Sequence, residues 1–174
     1  MPSNKDRLYI GLYARDVPNT YHWAFLITPK AATGAPNETI RYHVVNRPTT
    51  RDGITKDMWS FEKRELVSLK TQLLLVRVLV AKIERSHNDL EASLLHVPVI
   101  QDDPSWRCHT WVKNALAQVT KDRILGTGVL DWDIVERVCL SYVERKKREG
   151  RFRKTPTPEG IPTYDLIEKK ETAP

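Results

Sequence analysis

The chain has 174 residues, 40% of them hydrophobic and 29% charged, which suits one globular domain with a core and leaves little room for a second. No apolar run approaches the roughly 20 residues of a membrane-spanning helix, and the opening MPSNKDRLYI lacks the apolar centre of a signal peptide. The net charge of +6 is concentrated: residues 144–154 hold seven basic and two acidic side chains, leaving about +1 for the rest, so the body is not a nucleic-acid-binding surface.

In chain order, Leu8–Tyr13, Tyr21–Ile27, Ile40–Val45 and Leu73–Ile83 read as strands, rich in β-branched, aromatic and other apolar residues. Pro29 is expected to end the second and Pro48 the third. Residues 29–37, with Gly34 and Pro36, form the loop between them. Trp59–Leu66 is a weaker strand candidate. The second half turns helical. Ser86 is a fair N-cap for a helix to His96, and Asp102-Asp103-Pro104-Ser105 is a helix-start signal. The helix that follows carries Cys108, Trp111, Val112, Ala115, Leu116 and Val119 on one apolar stripe. Gly126 and Gly128 read as a loop. Asp131 or Asp133 opens a last helix with Ile134, Val135, Val138, Cys139, Tyr142 and Val143 on one face. The reading is a single α+β domain over 1–153, a small antiparallel sheet packed against C-terminal helices, with a Pro-rich, mostly irregular tail over 154–174.

Cys108 is the most informative residue for chemistry. It falls in the first turn of its helix, where unpaired N–H groups and the positive dipole end favour thiolate. A thiol so placed can be a nucleophile. It can equally be a small core residue. His22 lies in an otherwise apolar strand, on the face of Ala24 and Leu26, and His43 lies in the next. His22 could serve the thiol as general base and His43 could orient it, or both could be satisfied structural histidines. The two cysteines, Cys108 and Cys139, are too few for a disulfide scaffold or a Cys-rich zinc site, and no His/Cys spacing marks a metal. No Gly-rich phosphate loop or dinucleotide fingerprint is present, so no cofactor and no metal are expected. Trp23, Trp106 and Trp111 are candidates for the wall of a substrate groove, or for plain packing. Lys146, Lys147, Arg148, Arg151 and Arg153 form the basic patch, either a solvated helix end or a contact for an anionic surface or nucleic acid.

Tyr21-His22-Trp23-Ala24, Arg41-Tyr42-His43-Val44 and Trp106-Arg107-Cys108-His109-Thr110-Trp111-Val112 together resemble a family of uncharacterised fungal proteins, a resemblance that implies no activity. More distantly, the order of a His strand, a second His strand and a Cys helix resembles the circularly permuted papain-like fold. That branch includes NlpC-like peptidases and amidases, PPPDE-type enzymes and lecithin:retinol acyltransferase-like proteins. His22-Trp23-Ala24-Phe25-Leu26 is similar to their first element, His43 to the second and Cys108 to the third. The resemblance implies Cys108 as nucleophile, His22 as base and His43 as orienter. Arg107-Cys108 stands where an Asn-Cys pair is common in that branch.

These readings give a thiol hydrolase or acyltransferase acting on an amide, ester or thioester of a small-molecule or peptide substrate. Two alternatives stay open: a non-catalytic interaction module of the same fold, and an anionic-surface or nucleic-acid contact through residues 145–154. The expected location is the cytoplasm, with the nucleus open through the basic segment.

Overall fold

A computed structural model describes residues 5–70, 73–154 and 158–174. Among these, β1 (Arg7–Ala14), β2 (Tyr21–Thr28), β3 (Thr39–Arg51), β4 (Ile54–Leu66), β5 (Leu74–Ile83), β6 (Leu125–Gly128), β7 (Thr163–Asp165) and β8 (Lys170–Ala173) form one sheet. Its order is β4-β3-β2-β1-β5-β7-β8, with β6 also on β5. All pairs are antiparallel except β5 with β7. Three helices accompany it: α1 (His87–Leu95), α2 (Cys108–Lys121) and α3 (Trp132–Arg148). The protein is a mixed α+β structure, and no helix among the described residues is long and apolar enough to cross a membrane.

The central strands β1, β2 and β5 have apolar residues on both faces because both faces are covered. Leu8, Ile10, Leu12, Trp23, Phe25, Ile27, Val76, Val78 and Val80 meet the helices' apolar stripes in the main core. On the other face Tyr13, Ala24, Leu26 and Leu74 form a smaller cluster, closed by Leu66, Leu69 and Ile161 from loops and strand ends. α2 lies over β2 and β3, while α3 lies over β5 and β1. Ser86 caps α1 by accepting from the Asp89 N–H, and Asp131 caps α3 by accepting from Ile134 N–H.

Several boundaries differ from the sequence reading. Pro48 does not end β3, which runs on to Arg51. Past Tyr42, β3 pairs with β4 alone, and a strand with one partner tolerates a missing N–H. Asp52 and Gly53, both at positive φ, make the two-residue turn into β4. Residues 125–128 are a strand rather than a loop, paired to the end of β5. The acidic signal at 102–105 forms a turn one step before the helix: Ser105 donates from N–H and Oγ–H to Asp103 Oδ1, and α2 begins at Cys108. The segment expected as an irregular tail contains β7 and β8, and its part at 155–157 lies outside the described residues. Buried Lys146 anchors it through Glu171, and buried Arg151 donates to the Gly160 carbonyl at 3.1 Å.

Candidate active site

The two histidines stand where the sheet opens. β2 and β3 pair only through Phe25, Leu26 and Ile27 with Tyr42, Arg41 and Ile40. From there β3 follows β4, and residues 21–24 of β2 keep only β1 as a ladder partner. Alternation gives Trp23 and Phe25 to the core beneath the helices, with Tyr42 and Val44 of β3. His22 and His43 take the intervening positions. The His22 ring meets Tyr13 edge-on at 6.0 Å and His43 edge-on at 4.9 Å.

A chain of hydrogen bonds runs through them. His22 Nε2 lies 2.7 Å from His43 Nδ1, and His43 Nε2 lies 3.0 Å from Glu62 Oε1. Arg47 donates to Glu62 Oε2 at 2.9 Å. One proton arrangement satisfies every bond: His43 donates from Nε2 to the carboxylate, which leaves its Nδ1 to accept from His22 Nε2–H. His22 Nδ1 is then a free lone pair, with no hydrogen-bond partner among the described residues. Both rings are neutral at pH 7. Burial, with help from His43, Arg41 and Arg15, pushes His22 down to about 3. Burial pushes His43 down to about 4, against the opposing hydrogen bond from Glu62. Burial alone would raise Glu62, but the His43 bond and Arg47 outweigh it and hold the carboxyl below its ordinary value.

Cys108 is the first residue of α2, and its side chain is 2% exposed. Arg107 precedes it without a side-chain cap bond, and the first turn carries no acid, so the helix's N-terminal field falls on the thiol unopposed. Burial nevertheless wins and raises the Cys108 pKa, while the backbone N–H groups of Trp23, His109 and Cys108 and the charge of Arg15 pull the other way. This corrects the expectation of a favoured thiolate: the resting group is a thiol. The structure therefore brings His22 and His43 into direct contact, adds Glu62 behind them, and sets the Cys108 sulfur at the backbone of Trp23, the residue after His22. Arg15 acts on both the thiol and the His22 ring. Among the described residues Cys108 has no hydrogen bond to either histidine.

The tryptophans divide. Trp111 is fully buried against Phe25 and Phe61 and is core, not groove wall. Trp23 is also buried, packed edge-on against His109 at 4.9 Å and beside Trp132. Trp106 does border an open cleft of about 480 Å³, together with Trp59, Arg15, Arg107, Asn46 and Asp57. The basic residues do not form one exposed patch. Lys146 is buried on Glu149 and Glu171, and Arg151 is buried on backbone carbonyls. Lys147 binds Glu144 at 3.0 Å, and only Arg148 and Arg153 of the five are exposed. Two of the five thus tie down the C-terminal strands instead of facing a partner.

Glu62 and Arg15 were not singled out by sequence reasoning. For Glu62 a signal existed. A two-residue Asp52-Gly53 turn fixes the register of its hairpin, and pairing outward from it places Glu62 opposite His43, as observed. Arg15 had no such mark, because it lies just past β1 in an exposed loop.

The chain belongs to a family of unknown function, DUF6914, matched over residues 5–173. No curated protein and no solved structure matches it.

Proposed function

We propose that this member of the DUF6914 family is a thiol hydrolase or acyltransferase acting on an amide, ester or thioester. Cys108 is the nucleophile, His22 the base and His43 the orienter. The observation that carries the reading is the His22–His43–Glu62 chain, satisfied at the carboxylate end and free at His22 Nδ1. A general base held at one nitrogen and open at the other can take a proton from a thiol brought to it. The likeness of the strand-strand-helix order to a permuted papain-like core supports the same assignment.

Resting thiol and imidazole are both neutral, so the reactive pair forms with substrate in place. Thiol and imidazole lie on opposite sides of β2, so the step requires them to meet through the gap where β2 and β3 part; there His22 Nδ1 takes the Sγ proton as sulfur bonds to the acyl carbon. Backbone N–H groups at the start of α2 stabilise the developing oxyanion. His22 returns the proton to the departing nitrogen, oxygen or sulfur, leaving a thioester on Cys108. Water then yields the free acid, or an acceptor alcohol or amine takes the acyl group. The test is p-nitrophenyl acetate: a burst of p-nitrophenol with one acetyl group mapped to Cys108, absent in Cys108→Ser. Product release by Cys108→Ser at the wild-type rate sinks the assignment.

A second reading has its own observation. The burial of Cys108 and the lack of a bond to His22 favour a binding module in which both residues are structural. Under it, wild type and Cys108→Ser behave alike toward every acyl ester, and the cleft beside Trp106 is a ligand surface only.

A further inference from the structure

After Lys146 and Arg151 are accounted for, the basic run keeps Arg148, Arg153 and Lys154 exposed, and one of them, Arg153, converges with Lys147 and the distant Arg15 on one cavity. This cavity, of about 450 Å³, lies between the loop after β1, the end of α3 and the 3-10 turn Arg151–Arg153. Its cationic walls are Arg15, Lys147 and Arg153, its apolar walls include Val17, Leu75 and Phe152, and no Asp or Glu among the described residues lines it. Lys147 is held in place: it donates to Glu144 at 3.0 Å and to Asn19 Oδ1 at 3.2 Å, and sits 4.9 Å above the Tyr21 ring. Arg15 and Arg153 make no ion pair among the described residues.

Arg15 and Arg153 bring two uncompensated charges to an apolar recess where Lys147 is already paired with Glu144, and a solvated helix end would not gather Arg15 to it. An anion accepts charge-assisted hydrogen bonds from two guanidinium groups that have none among the described residues. The apolar walls ask for more than a bare ion: Val17 is 57% exposed and gains cover only from a ligand with an apolar part. We propose that this cavity binds a small organic anion, a phosphate or carboxylate carried on an apolar group, held by Arg15, Lys147 and Arg153. Arg15 also borders the cleft beside Trp106, so the two openings share one wall residue. The inference does not depend on thiol chemistry.

Binding to the wild-type protein is measured by titration calorimetry with phenyl phosphate, benzoate and inorganic phosphate. Phenyl phosphate or benzoate binds saturably with one-to-one stoichiometry, and the stronger of the two identifies the anion. Inorganic phosphate binds more weakly. The double variant Arg15→Ala/Arg153→Ala, altered only at exposed positions, keeps its melting temperature and weakens binding by about tenfold. Val17→Asp, which sets a carboxylate on the rim, abolishes it. Affinity falls as salt rises. The proposal is overturned by failure of both organic anions to saturate, by unchanged affinity in the double variant, or by inorganic phosphate binding as tightly as phenyl phosphate.

Discussion

His43 gives the fold an acid sensitivity whose size follows from its surroundings. The residue is 3% exposed and its pKa is pushed down to about 4, from 6.5. The unfolded chain accepts a proton that the folded chain refuses, so stability is full above about pH 6.5 and is lost as pH falls toward about 4. Between pH 7 and pH 5 the linkage for His43 alone comes to about 2 kcal/mol. His22 is pushed lower still and works in the same direction, through a hydrogen bond the two rings share. For a chain of this size 2 kcal/mol corresponds to a drop of about 4–8 °C in Tm. The assay is urea unfolding at both pH values for wild type and His43→Gln, so that groups not coupled to His43 cancel in the difference and the change reports His43 with its partners His22 and Glu62. Wild type should lose about 2 kcal/mol more than the variant over that interval. Equal losses in the two proteins would falsify the reasoning, because they would mean that His43 takes up its proton as readily folded as unfolded.

Three further outcomes follow from the same contacts. Glu62→Gln exchanges a charged acceptor for a neutral one and leaves Arg47 without its partner, at a cost of about 1–2 kcal/mol, read by thermal melts; an unchanged melting temperature contradicts the hydrogen-bond chain. Because burial raises the Cys108 pKa, iodoacetamide should modify the resting protein more slowly than a free thiol at neutral pH, with the rate rising only in alkali; a thiolate titrating below the ordinary cysteine range speaks against the burial. Lys146→Ala leaves Glu171 with Tyr142 and the more distant Arg145 and loosens β8, costing about 1–2 kcal/mol and exposing residues 170–173 to hydrogen exchange; protection equal to wild type would show that the anchor lies elsewhere.

Much of this was legible in the sequence where burial imposes a period. β1, β2 and β5 are apolar on both faces, and the stripes of α2 and α3 repeat every third or fourth residue, so length and pattern sufficed to find them. The stripe through Cys108, Trp111 and Val119 already assigned Trp111 to the core, and a groove role for it conflicted with that spacing. β4 was faint because it is an edge strand whose outer residues meet water, and its polar positions hide Glu62. The Asp52-Gly53 turn carried the missing register. β7 and β8 are too short for any period: three residues of β7 hold to β5, and β8 holds through Lys146, whose charge reads as solvated until its partner Glu171 is seen. The thiol illustrates a further limit. A helix N-terminus argues for thiolate, but the amount of apolar cover over Cys108 is set by strands far away in the chain, and here it outweighs the dipole.

The central claim is that His22 serves Cys108, and the most direct measurement is the rate at which Cys108 is acylated with and without that imidazole. Wild type, His22→Ala and Cys108→Ser are each mixed with p-nitrophenyl acetate and the acetylated fraction is followed by intact-mass spectrometry. Melting curves of the three proteins are compared first, to establish that each is folded. A general base at His22 predicts acetylation of Cys108 slowed by about 100-fold in His22→Ala and absent from Cys108→Ser. Acetylation at equal rates in wild type and folded His22→Ala would contradict the claim and leave the histidine pair as a structural element of the sheet.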